Sequence, residues 1–101
     1  MDPKEIDARV GEAWKAHRTG NIEAAIEQFS RILAEVPDHI DATWGLALAY
    51  RKAGDREKSL QTFKTAADLI AARSGSEEDK ERHFMLQRMI KQQIEQMADF
   101  I

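Results

Sequence analysis

The feature that most limits the fold of this chain is a repeat with a period of 34 residues, which is the separation of Gly20 and Gly54. The segment Ile6-Asp7-Ala8 recurs as Ile40-Asp41-Ala42 at the same offset, and Phe29 recurs as Phe63. A fixed period of this length is typical of solenoids built from stacked pairs of helices. Such stacks expose a broad concave surface and usually act by binding, so the period predicts a binding protein without naming its partner.

Composition restricts the class of protein further. A chain of 101 residues with 43% hydrophobic and 33% charged residues is long enough for one domain with a modest core. It has no cysteine, which excludes disulfides and thiolate metal sites, and the charged N-terminal segment lacks the apolar core of a signal peptide. We therefore expect a cytoplasmic protein without a membrane-inserted segment. The net charge of −3 argues against a nucleic-acid partner.

Turn and capping residues divide the sequence into five predicted helices. Thr19-Gly20-Asn21 and Gly54-Asp55 each combine a glycine stop with a following cap, and Pro37 ends the second helix. Ser74-Gly75-Ser76 ends the fourth helix. Helix starts are predicted at residues with capping side chains, which are Asp2, Asn21, Asp38, Asp55 and Ser76. No segment has the pattern of a strand, so the predicted fold is all-α.

The last predicted helix, about residues 77–100, departs from the repeat. Arg88 stands where the period would place a glycine, so the helix is expected to continue without a break. One face is apolar and the other polar, as required of an element that covers the end of a stack. A competing interpretation is that its distal part packs on a second copy of the chain; the residues of this self-association stripe are Met89, Ile90, Ile94, Met97, Phe100 and Ile101.

The positions that recur resemble the tetratricopeptide repeat family. In the second repeat, Leu46-Ala47-Leu48-Ala49-Tyr50 matches leucine-glycine-x2-tyrosine, and Ser59 with Phe63 matches alanine-x3-phenylalanine. The first repeat matches through Ala25 with Phe29, and through Pro37. Departures include Glu12 at the leucine position, Thr43 at the tryptophan position and Ala71 at the proline position. The resemblance implies one domain over residues 1–101: an antiparallel helix-pair solenoid with repeats at about 6–39 and 40–73 and a long capping helix.

The resemblance also implies where a partner would bind, because in this family the first helix of each pair lines the concave surface. The expected groove has an apolar, aromatic floor and a basic margin, formed by Val10, Trp14, His17, Arg18, Trp44, Leu48, Arg51, Lys52 and Arg82. We expect it to hold a helix or an extended peptide with acidic flanks. Whether Trp14 and Trp44 face the groove or pack between helices stays open. The positions of the family's carboxylate clamp hold Val10, Trp14, Gly45, Gly75 and Asp79, so that clamp is not expected.

Other functions receive less support from the residues. His17, His39 and His83 have no second metal ligand at helical spacing, and no serine lies in a nucleophile turn. We therefore expect no metal site, no cofactor and no enzymatic activity. An alternative is a small-molecule-binding accessory protein that uses Trp14 and Trp44 as an apolar pocket. The helix-interior glycines Gly11 and Gly45 recur at the repeat offset, which favours close approach of a helix or ligand at both.

Overall fold

The structure is a computed structural model of the 101-residue chain, and it describes residues 2–72, 88–89, 91–93 and 95–96. The described part contains four long helices and no strand: α1 (Pro3–Arg18), α2 (Ile22–Glu35), α3 (Ile40–Lys52) and α4 (Arg56–Ala72). The residues described between 88 and 96 are helical as well. The predicted all-α class is confirmed. The breaks predicted at Ser74 to Ser76, and most of the predicted final helix, lie outside the described residues.

The two turn glycines end α1 and α3 in the same way. Gly20 has φ 83° and Gly54 has φ 85°, a left-handed conformation that glycine adopts without the steric penalty of a side chain. The following amides reach back along the preceding helix, where Asn21 N donates to Ala16 O at 2.9 Å and Asp55 N to Tyr50 O at 3.0 Å. This pattern satisfies carbonyls that a helix end leaves without partners. Each helix therefore stops where the repeat predicts.

The predicted caps are correct at two helix starts and wrong at one. Asp2 Oδ1 accepts from Lys4 N, and Asp55 Oδ1 accepts from Lys58 N, each at 3.1 Å. The cap of α3 is His39 and not Asp38, because α3 begins at Ile40 and the imidazole Nδ1 accepts from Ala42 N at 3.1 Å. Asn21 occupies the predicted cap position of α2, yet its side chain makes no capping hydrogen bond.

The helices pack in chain order. Contacts join α1 to α2, α2 to α3 and α3 to α4, and α1 also contacts α3. Since short turns connect consecutive packed helices, neighbours run antiparallel, and α1 and α3 lie beside each other in the same direction. We call α1 and α3 the inner helices. This order is that of two stacked helix pairs.

Two clusters of buried side chains form the core, one around Phe29 and one around Phe63. Both rings are fully buried, and burial of a phenylalanine side chain contributes about 3 kcal/mol. Four small residues in the helix contacts are fully buried, which permits the helices to approach closely: Ala13, Ala25, Ala47 and Ser59. Ser59 differs from its repeat equivalent Ala25 in having a hydroxyl, which donates to Ala47 O at 2.8 Å across the α3–α4 contact.

The outer face of α1 is polar, whereas the corresponding face of α3 is buried. Ala42, Gly45, Leu46 and Ala49 are buried on α3, and their equivalents one repeat earlier are all exposed: Ala8, Gly11, Glu12 and Lys15. Glu12 and Lys15 thus replace Leu46 and Ala49 on a face that meets water. Because Glu12 is exposed, a charged side chain is compatible with this position, where the family pattern has leucine.

Candidate binding surface

The inner helices bring four of the predicted groove residues together. His17 comes from the last turn of α1, and Leu48, Arg51 and Lys52 come from the second half of α3. These are the described residues that line a cavity of about 270 Å³. They meet because α1 and α3 lie side by side and end at equivalent glycine turns. Leu48 supplies the apolar wall and the two cations supply the rim.

The cations at this place are exposed and carry no ion pair among the described residues. We define the basic end as His17, Arg18, Arg51 and Lys52, all in the last turns of the inner helices. The ion pairs found in the described part of the chain lie elsewhere, at Arg9–Glu35, Arg31–Glu27 and Lys58–Asp55. The basic end therefore presents positive charge to solvent that no carboxylate of the described chain neutralises.

His17 adds a polar group without a partner to the same cavity. Its Nε2 is buried, and the structure gives it no hydrogen bond. The imidazole stands edge-on to the indole of Trp14, with ring centroids 5.8 Å apart. A buried ring nitrogen without a partner is unusual in a folded protein, since most buried polar atoms are hydrogen-bonded. The nitrogen has almost no accessible surface, so His17 lines the cavity through its other atoms.

Trp14 is half-buried and is held by the fold on two sides. Its ring packs edge-to-face on Phe29 of α2, with centroids 5.3 Å apart and an interplanar angle of 79°. Its indole Nε1 donates to Asp41 Oδ2 of α3 at 3.2 Å. Trp14 thus connects α1, α2 and α3. Sequence analysis missed Asp41 as its partner, although Asp41 lies on the inner helix that was expected to line the groove.

Trp44 repeats half of this arrangement. It is also half-buried, and its ring packs edge-to-face on Phe63 of α4 with centroids 5.4 Å apart. Such aromatic pairs contribute about 1 kcal/mol beyond the area that they bury. Both tryptophans therefore brace a helix pair and leave part of the ring accessible, so the two interpretations left open above each describe one side of the same residue.

Two predicted groove residues remain, Val10 and Arg82, and the prediction for Val10 is corrected by its burial. Val10 is only 8% exposed and belongs to the core cluster around Phe29, so it is not part of an accessible floor. In that cluster Val10 is grouped with residues of both α2 and α3. Arg82 lies outside the described residues.

The self-association stripe is described only at Met89, whose side chain is 49% exposed. Ile90, Ile94, Met97, Phe100 and Ile101 lie outside the residues whose side chains are described. A cavity of about 620 Å³ adjoins Met89, but its described lining comes from one helical segment: Arg88, Met89, Lys91, Gln92 and Glu95. These side chains do not converge from two elements, so we assign no site there.

The described ranges also bear on metal binding and on membrane insertion. No group of three or more histidine, aspartate or glutamate side chains there is arranged to hold a metal ion. None of the helices in the described ranges has the length and apolar character needed to cross a membrane.

The expected close approach at the two helix-interior glycines is found at Gly45, whereas Gly11 has no neighbouring atom within 4 Å of a Cβ position.

Stacked antiparallel helix pairs, with side chains of the inner helices lining one cavity, define a helical repeat protein. The chain belongs to the tetratricopeptide repeat family, whose family model matches residues 16–73, more than half of its length. Repeats of this family generally mediate protein–protein interaction and are typically non-catalytic. No curated protein matches the chain.

Proposed function

We propose that this protein is a non-catalytic interaction module that binds a peptide or helix of a partner protein along the inner helices α1 and α3. One observation carries the proposal: His17, Leu48, Arg51 and Lys52 come from two repeats and converge on one cavity. Family membership supports the same kind of function. A cytoplasmic adaptor or scaffold is the role that fits this chemistry.

The chemistry of the surface indicates the kind of segment that it would accept. Leu48 and the accessible sides of Trp14 and Trp44 offer apolar contacts, and half-buried aromatic residues beside arginine are typical anchors at interfaces. α3 has 13 residues and is therefore about 20 Å long, which matches a partner helix of similar length. A segment with apolar residues on one face and acidic residues near one end would complement this surface.

The small-molecule alternative is less well supported by the geometry. The cavity of about 270 Å³ lies at the lower limit of the volumes usual for ligand pockets, about 300–1,000 Å³. Its rim consists of exposed charged side chains, and the two tryptophans pack on separate phenylalanines. The aromatic rings therefore do not form one closed apolar pocket.

Leu48 is the best residue with which to test the proposal, because it lies in the cavity and packs against the cluster around Phe63 without being fully buried. A library of random dodecapeptides displayed on phage is panned against the immobilised full chain, and the selected peptides are synthesised for affinity measurement by fluorescence anisotropy. Leu48→Ser should weaken binding about tenfold, which corresponds to about 1.4 kcal/mol of lost apolar contact. Leu60→Ser is the control, since Leu60 is also half-buried and packs against the same cluster but lies on α4.

Equal affinity of the wild-type chain and Leu48→Ser for every selected peptide would reject the inner-helix surface.

Self-assembly is the second candidate function, supported by the exposed side chain of Met89. Light scattering over a concentration series distinguishes the two: a concentration-independent monomer leaves the inner surface free, whereas a stable dimer that loses mass on deletion of residues 93–101 favours assembly.

A further inference from the structure

The inner surface carries opposite charges at its two ends. Asp7 and Asp41 are exposed in the N-terminal halves of α1 and α3, and the basic end lies at their C-termini. Because the two helices run in the same direction, the acidic and basic residues segregate toward opposite ends of one face. A partner segment that lies along this face therefore has acidic residues beside one of its ends and basic residues beside the other.

The positive charge exceeds what the helix ends themselves neutralise. The C-terminus of a helix acts as about −0.5 of an elementary charge, so the ends of α1 and α3 together supply about −1. Arg18, Arg51 and Lys52 supply three positive charges. The excess has no carboxylate partner in the described chain, as the ion pairs above show. A bound molecule with a negative charge would supply the counter-charge that the described chain does not provide.

We infer that the cavity at the basic end is a subsite for an acidic side chain, aspartate or glutamate, of a partner polypeptide, seated between the cations and His17 with its aliphatic part against Leu48. This inference rests on the proposed function and adds both a residue class and an orientation to it. An acidic side chain fits because its carboxylate accepts hydrogen bonds from several donors at once.

The subsite also fixes the direction of the partner. The acidic residue lies beside the turns at Gly20 and Gly54, so the rest of the segment extends toward Asp41. Asp41 already accepts the indole N–H of Trp14, and this bond holds the floor of the surface in place. An acidic residue at the opposite end of the segment would be repelled there, which selects against segments bound in reverse.

The test uses the panned dodecapeptides with two double variants of matched charge. Arg51→Gln with Lys52→Gln removes the cations of the cavity, and Arg31→Gln with Lys64→Gln removes one arginine and one lysine from exposed positions on α2 and α4. Circular dichroism checks that both variants keep their helices. The loss of the Arg31–Glu27 pair in the control is a minor effect, because exposed ion pairs contribute little to stability.

If the inference is correct, the selected peptides are enriched in aspartate or glutamate, and the cavity variant binds them about tenfold more weakly while the control stays within about twofold. Replacing the enriched glutamate of a peptide by glutamine should weaken binding to the wild-type chain and have little effect on the cavity variant, and the same loss should follow a rise from about 50 mM to about 200 mM salt. Selected peptides without acidic enrichment, or equal affinity for the two double variants, would overturn the subsite and leave the binding surface intact. A wild-type chain that retains no peptide would overturn both proposals.

Discussion

Gly45 of α3 lies directly against the ring of Phe29 of α2. A Cβ at position 45 would stand 2.5 and 2.8 Å from Cε1 and Cε2 of that ring, and closer still to Cζ. Phe29 is fully buried and also packs on Trp14, so a shift of its ring would disturb that contact. The absence of a side chain at position 45 therefore determines how closely the second helix pair approaches the first.

Gly45→Ala should destabilise the protein, although alanine is the better helix former. The helix propensity gained is about 1 kcal/mol, and forcing a methyl group into a packed core costs typically about 1–3 kcal/mol. Gly11→Ala is the matched control, because Gly11 is the repeat equivalent and has no neighbour within 4 Å of a Cβ. It should raise stability by up to about 1 kcal/mol. Urea denaturation measures both, and a Gly45→Ala variant as stable as Gly11→Ala would contradict the packing described here.

The hydrogen bond from Trp14 to Asp41 should make Asp41 more important for stability than its repeat equivalent Asp7. Asp41→Ala removes this acceptor and also an acidic residue in the first turn of α3, which together cost about 1–2 kcal/mol. Asp7→Ala should cost less than about 0.5 kcal/mol, as expected for an exposed surface position. Thermal unfolding followed by circular dichroism compares the two. Asp41→Asn, which retains an acceptor oxygen, should fall between them.

Variants of His39 and Asn21 distinguish a side chain that makes a capping hydrogen bond from one that only occupies the cap position. His39→Ala loses the bond from Ala42 N to Nδ1 and should cost about 1 kcal/mol. His39→Asp should be at least as stable as wild type, because aspartate both caps and places negative charge at the positive end of the helix dipole. Asn21→Ala should cost less than His39→Ala, since Asn21 makes no side-chain cap bond. The free energies of unfolding order the three variants, and an equal loss in both alanine variants would refute the assignment of His39.

Ser59 tests which property of a small residue the α3–α4 contact requires. Ser59→Ala matches the repeat equivalent Ala25 and should cost about 1 kcal/mol, the typical net contribution of a hydrogen bond such as that to Ala47 O. Ser59→Val should cost about 1–3 kcal/mol, because the added methyl groups have no room in a fully buried position. Denaturant midpoints at a constant m-value measure the difference. A valine variant as stable as the alanine variant would show that volume is not limiting at this contact.

The repeat and its turn residues allowed much of the fold to be predicted from the sequence. Gly20 and Gly54 require a backbone conformation that other residues rarely adopt, so their spacing fixed the helix pairs. The cap of α3 was less predictable. Asp38 and His39 are adjacent residues that can each accept a backbone hydrogen bond, and only the path of the turn after Pro37 decides which one precedes the helix.

The binding surface was less predictable than the fold, because it depends on the rotation of each helix about its axis. Val10 and Trp44 occupy equivalent positions in the two repeats, yet Val10 is buried and Trp44 is half-buried. The larger ring extends further from the helix, so part of it reaches solvent while its edge contacts Phe63. The period alone predicts that polar side chains meet at the basic end. His17 and Arg51 are one repeat apart, so they lie at the same end of the inner helices.

The packing of α1 to α4 in chain order has a consequence for how the protein folds. Contacts among these four helices connect each helix only to its first or second neighbour along the chain, so no distant ends must be brought together before the core forms. Low contact order of this kind gives rapid folding, on a microsecond to millisecond timescale. The Phe29 and Phe63 clusters can form one after the other as the chain leaves the ribosome, and the first helix pair can therefore begin to bury its aromatic residue before the second has been synthesised.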